Sequence, residues 1–138
     1  MCSYSNIRNG HSSIRVSTWN LDKIGSEKCS NLGVKEVICR TILENKLSIL
    51  CLQEVLEPFA LHNLCNELNK PQLRRVVEWK QNSKNWKYTM NSTAVDGCLN
   101  GLGFIYDADA CELLRDECID ISLDECKLAD SKVNCVND

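Results

Sequence analysis

The chain has 138 residues, 43% of them hydrophobic and 25% charged, with a formal net charge of -3. That is the composition of one ordinary globular domain with core enough to fold. It excludes a general pull toward nucleic acid by bulk charge, and no apolar run is long enough to span a bilayer.

Residues 1–12, MCSYSNIRNGHS, are polar and lack the apolar centre of a signal peptide; a disordered leader is expected. Ile14 to Trp19 is rich in β-branched residues and reads as a strand. Asp22 to Gly33 holds Gly, Ser, Asn and Lys and reads as a loop. Val34, Val37, Ile38 and Ile42 recur at helical spacing and predict a helix from Val34 to Asn45. Leu47 to Leu52 is a continuous apolar run, as in a strand buried on both faces. Pro58 suits the first turn of a second helix, with Leu61, Leu64, Cys65 and Leu68 on its apolar face and Pro71 at its end. Trp86 to Met90 and Leu102 to Tyr106 read as strands joined by a polar segment, with NGLG at Asn100 to Gly103 turning the chain before the second. Cys111 to Arg115 reads as a short further strand, and from Asp116 the pattern fades into an acidic tail.

The ten cysteines include no C-x-x-C pair, so zinc-ribbon and thioredoxin readings find no support. Cys39, Cys51 and Cys65 fall inside apolar patterns, as free thiols do in a reducing compartment. No disulfide is expected, and the expected location is intracellular, nuclear or cytoplasmic.

The run IRVSTWNLD ends in Asn20 and Asp22, and LSILCLQEV ends in Gln53 and Glu54. Strand, helix, strand over residues 14–54 has the size of a βαβ unit. Its two strands would be parallel and would end on one edge, the edge where open α/β sheets bind ligands. Asn20, Asp22 and Glu54 would then form a hard, oxygen-only cluster suited to Mg²⁺ or Mn²⁺, with water and substrate phosphate completing the shell. Singly, each is an ordinary residue of a strand end; their coincidence at matching ends favours metal binding. A second candidate is the basic stretch from Lys70 to Met90, six bases against one acid. There Arg74, Arg75, Lys80, Lys84 and Lys87 would meet a nucleic-acid backbone, and Trp79 and Trp86 would stack on bases. The reading preferred for that stretch is plainer: a solvated helix exit and hairpin, with the tryptophans packed inward.

TWNLD and LCLQE resemble the first two signature motifs of the endonuclease/exonuclease/phosphatase superfamily. Its members include type I deoxyribonucleases, abasic-site endonucleases, inositol polyphosphate phosphatases and neutral sphingomyelinases. The resemblance implies that Asn20 and Glu54 serve a catalytic metal. Asp22, matching the extra Asp of a W-N-x-D form, is implied to lie at it too. GVKEVICRTILEN, LHNLCNELNKPQL, the pairs Trp79-Lys80 and Trp86-Lys87, and GFIYD resemble one branch, the endonuclease/exonuclease/phosphatase family domain-containing protein 1 group.

The fold implied is α/β, the first half of a four-layer α/β sandwich, with a βαβ unit plus antiparallel strands and the second half missing. The domain order expected is a leader over 1–12, the N-terminal half of a catalytic domain over 13–115, and a disordered acidic, Cys-containing tail over 116–138. The family's D-x-N and S-D-H motifs and the branch's helix-hairpin-helix repeats find no match, and His11 and His62 are expected to be solvent-exposed. The chain is therefore expected to be a fragment, splice form or truncated gene model. In complete form it would be a Mg²⁺-dependent phosphodiesterase acting on nucleic acid, of the DNA-repair type; as it stands it would be inactive. The same-fold rival is a phosphoinositide or lipid phosphatase. The rival of another class is a non-catalytic interaction protein, whose bare sheet face self-associates or takes a protein partner.

Overall fold

The computed structural model describes residues 2–5, 14–79, 85–95 and 98–114. They form β1 (Cys2–Ser5), β2 (Arg15–Ile24), α1 (Ser26–Ser30), α2 (Leu32–Glu44), β3 (Ile49–Val55), α3 (Pro58–Asn69), α4 (Arg74–Trp79), β4 (Trp86–Val95) and β5 (Cys98–Asp107). The strands make one mixed sheet in the order β1-β2-β3-β5-β4. β2 and β3 pair in parallel and the other neighbours antiparallel, so the fold is α/β, with a βαβ unit and an antiparallel hairpin.

Local chemistry sets the helices. Asn31 caps α2 by accepting from the Gly33 and Val34 N–H groups, and Ile38, Cys39 and Ile42 form its buried stripe. Pro58 stands in the first turn of α3. The face predicted for that helix, Leu61, Leu64, Cys65 and Leu68, is buried together with Ala60. α1 and α3 pack against the sheet, α2 packs on both of them, and α4 packs on α2. Leu50 and Leu52 of β3 and Ile105 of β5 are buried beneath them.

Alternation along a strand puts the intervening residues on the other face. Register places Val16, Ile49 and Tyr106 in one row there, and Thr18, Cys51 and Phe104 in the next. Among the described residues that face is only partly covered: Leu102 is 46% exposed and Phe104 37%. β3, expected to be buried on both faces, is therefore buried on one, with Ile49 and Cys51 only half-buried.

Other expectations are corrected. Cys2–Ser5, assigned to a disordered leader, pair with Arg15 to Thr18 along the otherwise free edge of β2. Such an edge offers its N–H and C=O groups to any extended segment. Residues 6–13 lie outside the described residues, as do Arg115 and the acidic tail. The loop expected from Asp22 to Gly33 is instead the end of β2, the short α1 and the start of α2. Asn100 to Gly103 is no turn but part of β5, whose first residue Cys98 pairs with Val95. Gly101 and Gly103 serve close approach instead. A Cβ on Gly101 would collide with the Val55 carbonyl and the Met90 side chain, and one on Gly103 would lie 2.6 Å from Leu61 Cδ1. Cys111 to Leu114 form no strand, because the chain leaves the sheet in a turn in which Ala110 and Cys111 donate to the Asp107 carbonyl. Arg74–Trp79, in the basic stretch, are helical. The buried Glu67 prepares that helix by accepting from the Gln72 and Leu73 N–H groups, each at 2.8 Å.

Among the described residues Cys29, Cys39, Cys51, Cys65 and Cys111 are free thiols. Burial pushes the Cys65 thiol up to about 12 and raises that of Cys39 as well. A thiol raised in the folded state stabilises it fully below the unfolded value of 9.0 and loses that contribution as pH climbs toward the folded value. Cys39 and Cys65 are each expected to cost about 1.4 kcal/mol of stability per pH unit above pH 9. Urea midpoints measured from pH 8 to 11 should fall accordingly, and Cys65→Ala should flatten the slope. A midpoint constant over that range would contradict the burial of both thiols.

Candidate metal edge at the ends of β2 and β3

Because β2 and β3 are parallel, both end on one edge of the sheet. Asn20 opposite Gln53 is their last regular pair. Beyond it the register breaks on both sides of β3, between Asn20 and Ile24 against β2 and between Leu52 and Val55 against β5. Inside these breaks Asp22 (φ 52), Lys23 (φ 56) and Glu54 (φ 56) adopt the left-handed conformation, which side chains other than glycine occupy at a cost. Bulges of this kind re-aim a side chain out of the strand's alternation.

The re-aiming brings Glu54 to Asn20. Asn20 Nδ2 donates to Glu54 Oε1 at 2.8 Å, and Asn20 Oδ1 accepts from the Asp22 N–H at 2.8 Å. The two bonds together fix which end of the amide faces which partner. Alongside, Gln53 Nε2 donates to Thr18 Oγ1 at 3.0 Å. Lys28 of α1 donates to the carbonyls of Leu21, at 2.9 Å, and Asp22. Its Nζ also lies 3.7 Å from Asp22 Oδ2. Glu57 anchors the start of α1 by accepting from the Ser26 N–H and hydroxyl, and these bonds hold its carboxyl below the ordinary range.

Of the three residues predicted for the metal, the structure joins Asn20 and Glu54. Asp22 joins them through its backbone N–H; its side chain is 92% exposed and its near charge is Lys28. Among the described residues no three His, Cys, Asp or Glu side chains gather as a metal set. One carboxylate, braced on one oxygen and with the other outside that bond, fits a hard divalent cation that takes most of its shell from water and phosphate, the habit of Mg²⁺. Lys28 escaped the sequence reading; a lysine in a polar stretch carries no signal of what its ammonium will reach.

Among the described residues the predicted bases form no hydrogen bond or ion pair at this edge. Arg74 pairs with Glu78, Arg40 with Glu44, and the Arg75 N–H donates to Glu36. With Glu78 and Trp79, the three arginines line a groove of about 380 Å³ beside α2 and α4. Lys87 is exposed on β4, and Lys80 and Lys84 lie outside the described residues. Of the two tryptophans, Trp86 is packed inward at 3% exposure while Trp79 keeps 37%. His62 is exposed on α3, bonded to Asn66 and in ring contact with Phe59 and Tyr88; none of these belongs to the metal edge. His11 lies outside the described residues. No helix among those residues is long and apolar enough to cross a membrane.

No family profile matches the chain. It is similar, at 38% identity over 116 residues, to the human "Endonuclease/exonuclease/phosphatase family domain-containing protein 1", covering 82% of this chain and 20% of that protein. The zebrafish (Danio rerio) protein of the same name is also 38% identical over 116 residues, covering 81% and 21%. The mouse (Mus musculus) protein is 36% identical over the same length, covering 82% and 20%. The chain is thus an α/β domain whose curated homologues carry the endonuclease/exonuclease/phosphatase name. They are of the family domain-containing protein 1 group, of whose length the chain spans about a fifth.

Proposed function

We propose that this chain supplies the cation-holding part of a divalent-metal phosphodiesterase acting on nucleic acid, with Glu54 as the ligand and Asn20 as its brace. The observation that carries the reading is Glu54 itself: a left-handed residue at a bulge, its carboxylate held 2.8 Å from the Asn20 amide. Mg²⁺ or Mn²⁺, when bound, polarises a phosphate oxygen and stabilises the leaving oxyanion. Glu54 contributes charge and a fixed oxygen; Asn20 keeps the carboxylate from rotating, as partners behind a ligand commonly do. Asp22 contributes its charge through water. Nucleic acid is supported by the words endonuclease and exonuclease in the relatives' name and by the groove that Arg40, Arg74, Arg75 and Trp79 line together with Glu78. The word phosphatase in the same name supports a second reading, a phosphate-monoester or phosphoinositide substrate at the same edge.

With a single carboxylate in place, affinity is expected to be weak, on the order of millimolar, since it follows ligand charge. Titrating Mn²⁺ while following water-proton relaxation should show saturable binding that Glu54→Gln removes. Equal binding by the variant would dismiss Glu54 as a ligand and leave the non-catalytic interaction protein as the better reading.

A further inference from the structure

We propose that Lys28 is a positioning residue for Glu54, acting through the β2 bulge; the consequence for metal rests on the function proposed above. The bulge at Leu21, Asp22 and Lys23 has lost its ladder partners, and two of its residues in a row are left-handed without being glycine. Something must hold it. The Lys28 ammonium has three donors and meets three oxygens there: the Leu21 carbonyl at 2.9 Å, the Asp22 carbonyl, and Asp22 Oδ2 at 3.7 Å. Its stem leaves α1, a helix tied down by Glu57 at Ser26 and by the buried Cys29.

So held, the bulge presents the Asp22 N–H to Asn20 Oδ1. That bond decides the Asn20 amide's orientation and turns Nδ2 toward Glu54. A path of contacts thus runs from α1 through the bulge and the amide to the carboxylate. Without the ammonium the bulge relaxes and Asp22 N–H leaves Asn20. The amide is then free to turn its oxygen toward the carboxylate, where two acceptors repel. No hydrogen bond or ion pair joins Lys28 to Glu54, so its effect is indirect.

The test uses the ¹⁵N-labelled full chain without metal, as parent, Lys28→Met, Lys28→Gln and Lys28→Arg. In the Met and Gln variants Asp22 amide exchange should rise at least about tenfold, and the Asn20 side-chain NH₂ signals should move to those of a free amide. Leu50 and Leu52 amides should keep their protection, and Lys28→Arg should restore the parent pattern. Unchanged Asp22 exchange and Asn20 signals in either variant with a protected core would overturn the proposal. Loss of core protection in both would overturn it too, since Lys28 would then be a residue of folding. In a second arm Mn²⁺ affinity should fall about tenfold in Lys28→Met, the scale on which partners behind a ligand act. If the amide signals respond but Glu54→Gln leaves Mn²⁺ binding intact, the positioning stands and the metal reading fails.

Discussion

Joined to a second half that carries the D-x-N and S-D-H motifs, the chain should cleave phosphodiesters with Mg²⁺, and Glu54→Gln should reduce the rate by at least about a hundredfold. The substitution keeps the size of the side chain and removes its charge. A cation that draws one carboxylate from this edge then loses its only anionic contact here. Disturbing a partner behind a ligand already costs roughly 10- to 100-fold, and losing the ligand costs at least as much. The 138-residue chain alone should not cleave abasic or nicked DNA, or phosphoinositides. Its described residues bring no histidine to Glu54, general acid–base help supplies about 10²- to 10⁴-fold, and groups that act as a unit fail together. Initial rates on an abasic-site duplex with and without Mg²⁺ decide both points. Cleavage by the 138-residue chain that Asn20→Ala removes would show the edge to be sufficient by itself.

Gly101→Val should be among the most damaging single changes in the sheet. β5 crosses the β3 bulge at Gly101, where a Cβ would run into the Val55 carbonyl oxygen as well as the Met90 side chain. The methionine can move; the carbonyl can move only with the bulge that aims Glu54. Overpacking of this kind costs about 1–3 kcal/mol, and the upper end applies where backbone has to give. For a domain of this size that corresponds to a Tm lower by about 10 °C. Gly33→Ala is the contrasting case, since a Cβ in that exposed helical position meets only Asn31 Oδ1 at 3.4 Å. It should stabilise by about 0.5–1 kcal/mol. Calorimetry of the two variants beside the parent gives the comparison. An unchanged Tm for Gly101→Val would mean that β5 does not approach Val55 closely.

The pairing of Asn20 with Glu54 was legible in the sequence because it needs only period and connectivity: two strand-like runs, one helix between them, and side chains at matching ends. The buried face of α3 was legible for the same reason, a period of 3.6 read over Leu61, Leu64 and Leu68. What the sequence hid was decided by contacts far along the chain. Gly101 and Gly103 look like turn residues because composition cannot distinguish a glycine that bends the chain from one that lets another strand come close. Cys2–Ser5 are strand because β2 had an edge to offer, which no local pattern announces. Asp22 was expected at the metal because it stands at the end of the first strand-like run and matches the Asp of a W-N-x-D form. The left-handed turn at Asp22 and Lys23 that brings its carboxylate near Lys28 has no local signal in the sequence. Cys51 was read as fully buried from an unbroken apolar run, although the open row of Thr18, Cys51 and Phe104 leaves it partly covered.

The most direct measurement of the central claim is paramagnetic mapping of Mn²⁺ on the ¹⁵N-labelled chain. At substoichiometric Mn²⁺ the amide signals of Asn20, Asp22, Gln53 and Glu54 should broaden first and those of His62 and Arg75 last, and Glu54→Gln should abolish the difference. Broadening that centres instead on the acids after Asp116, with the ends of β2 and β3 untouched, would contradict the assignment of this edge as the metal site.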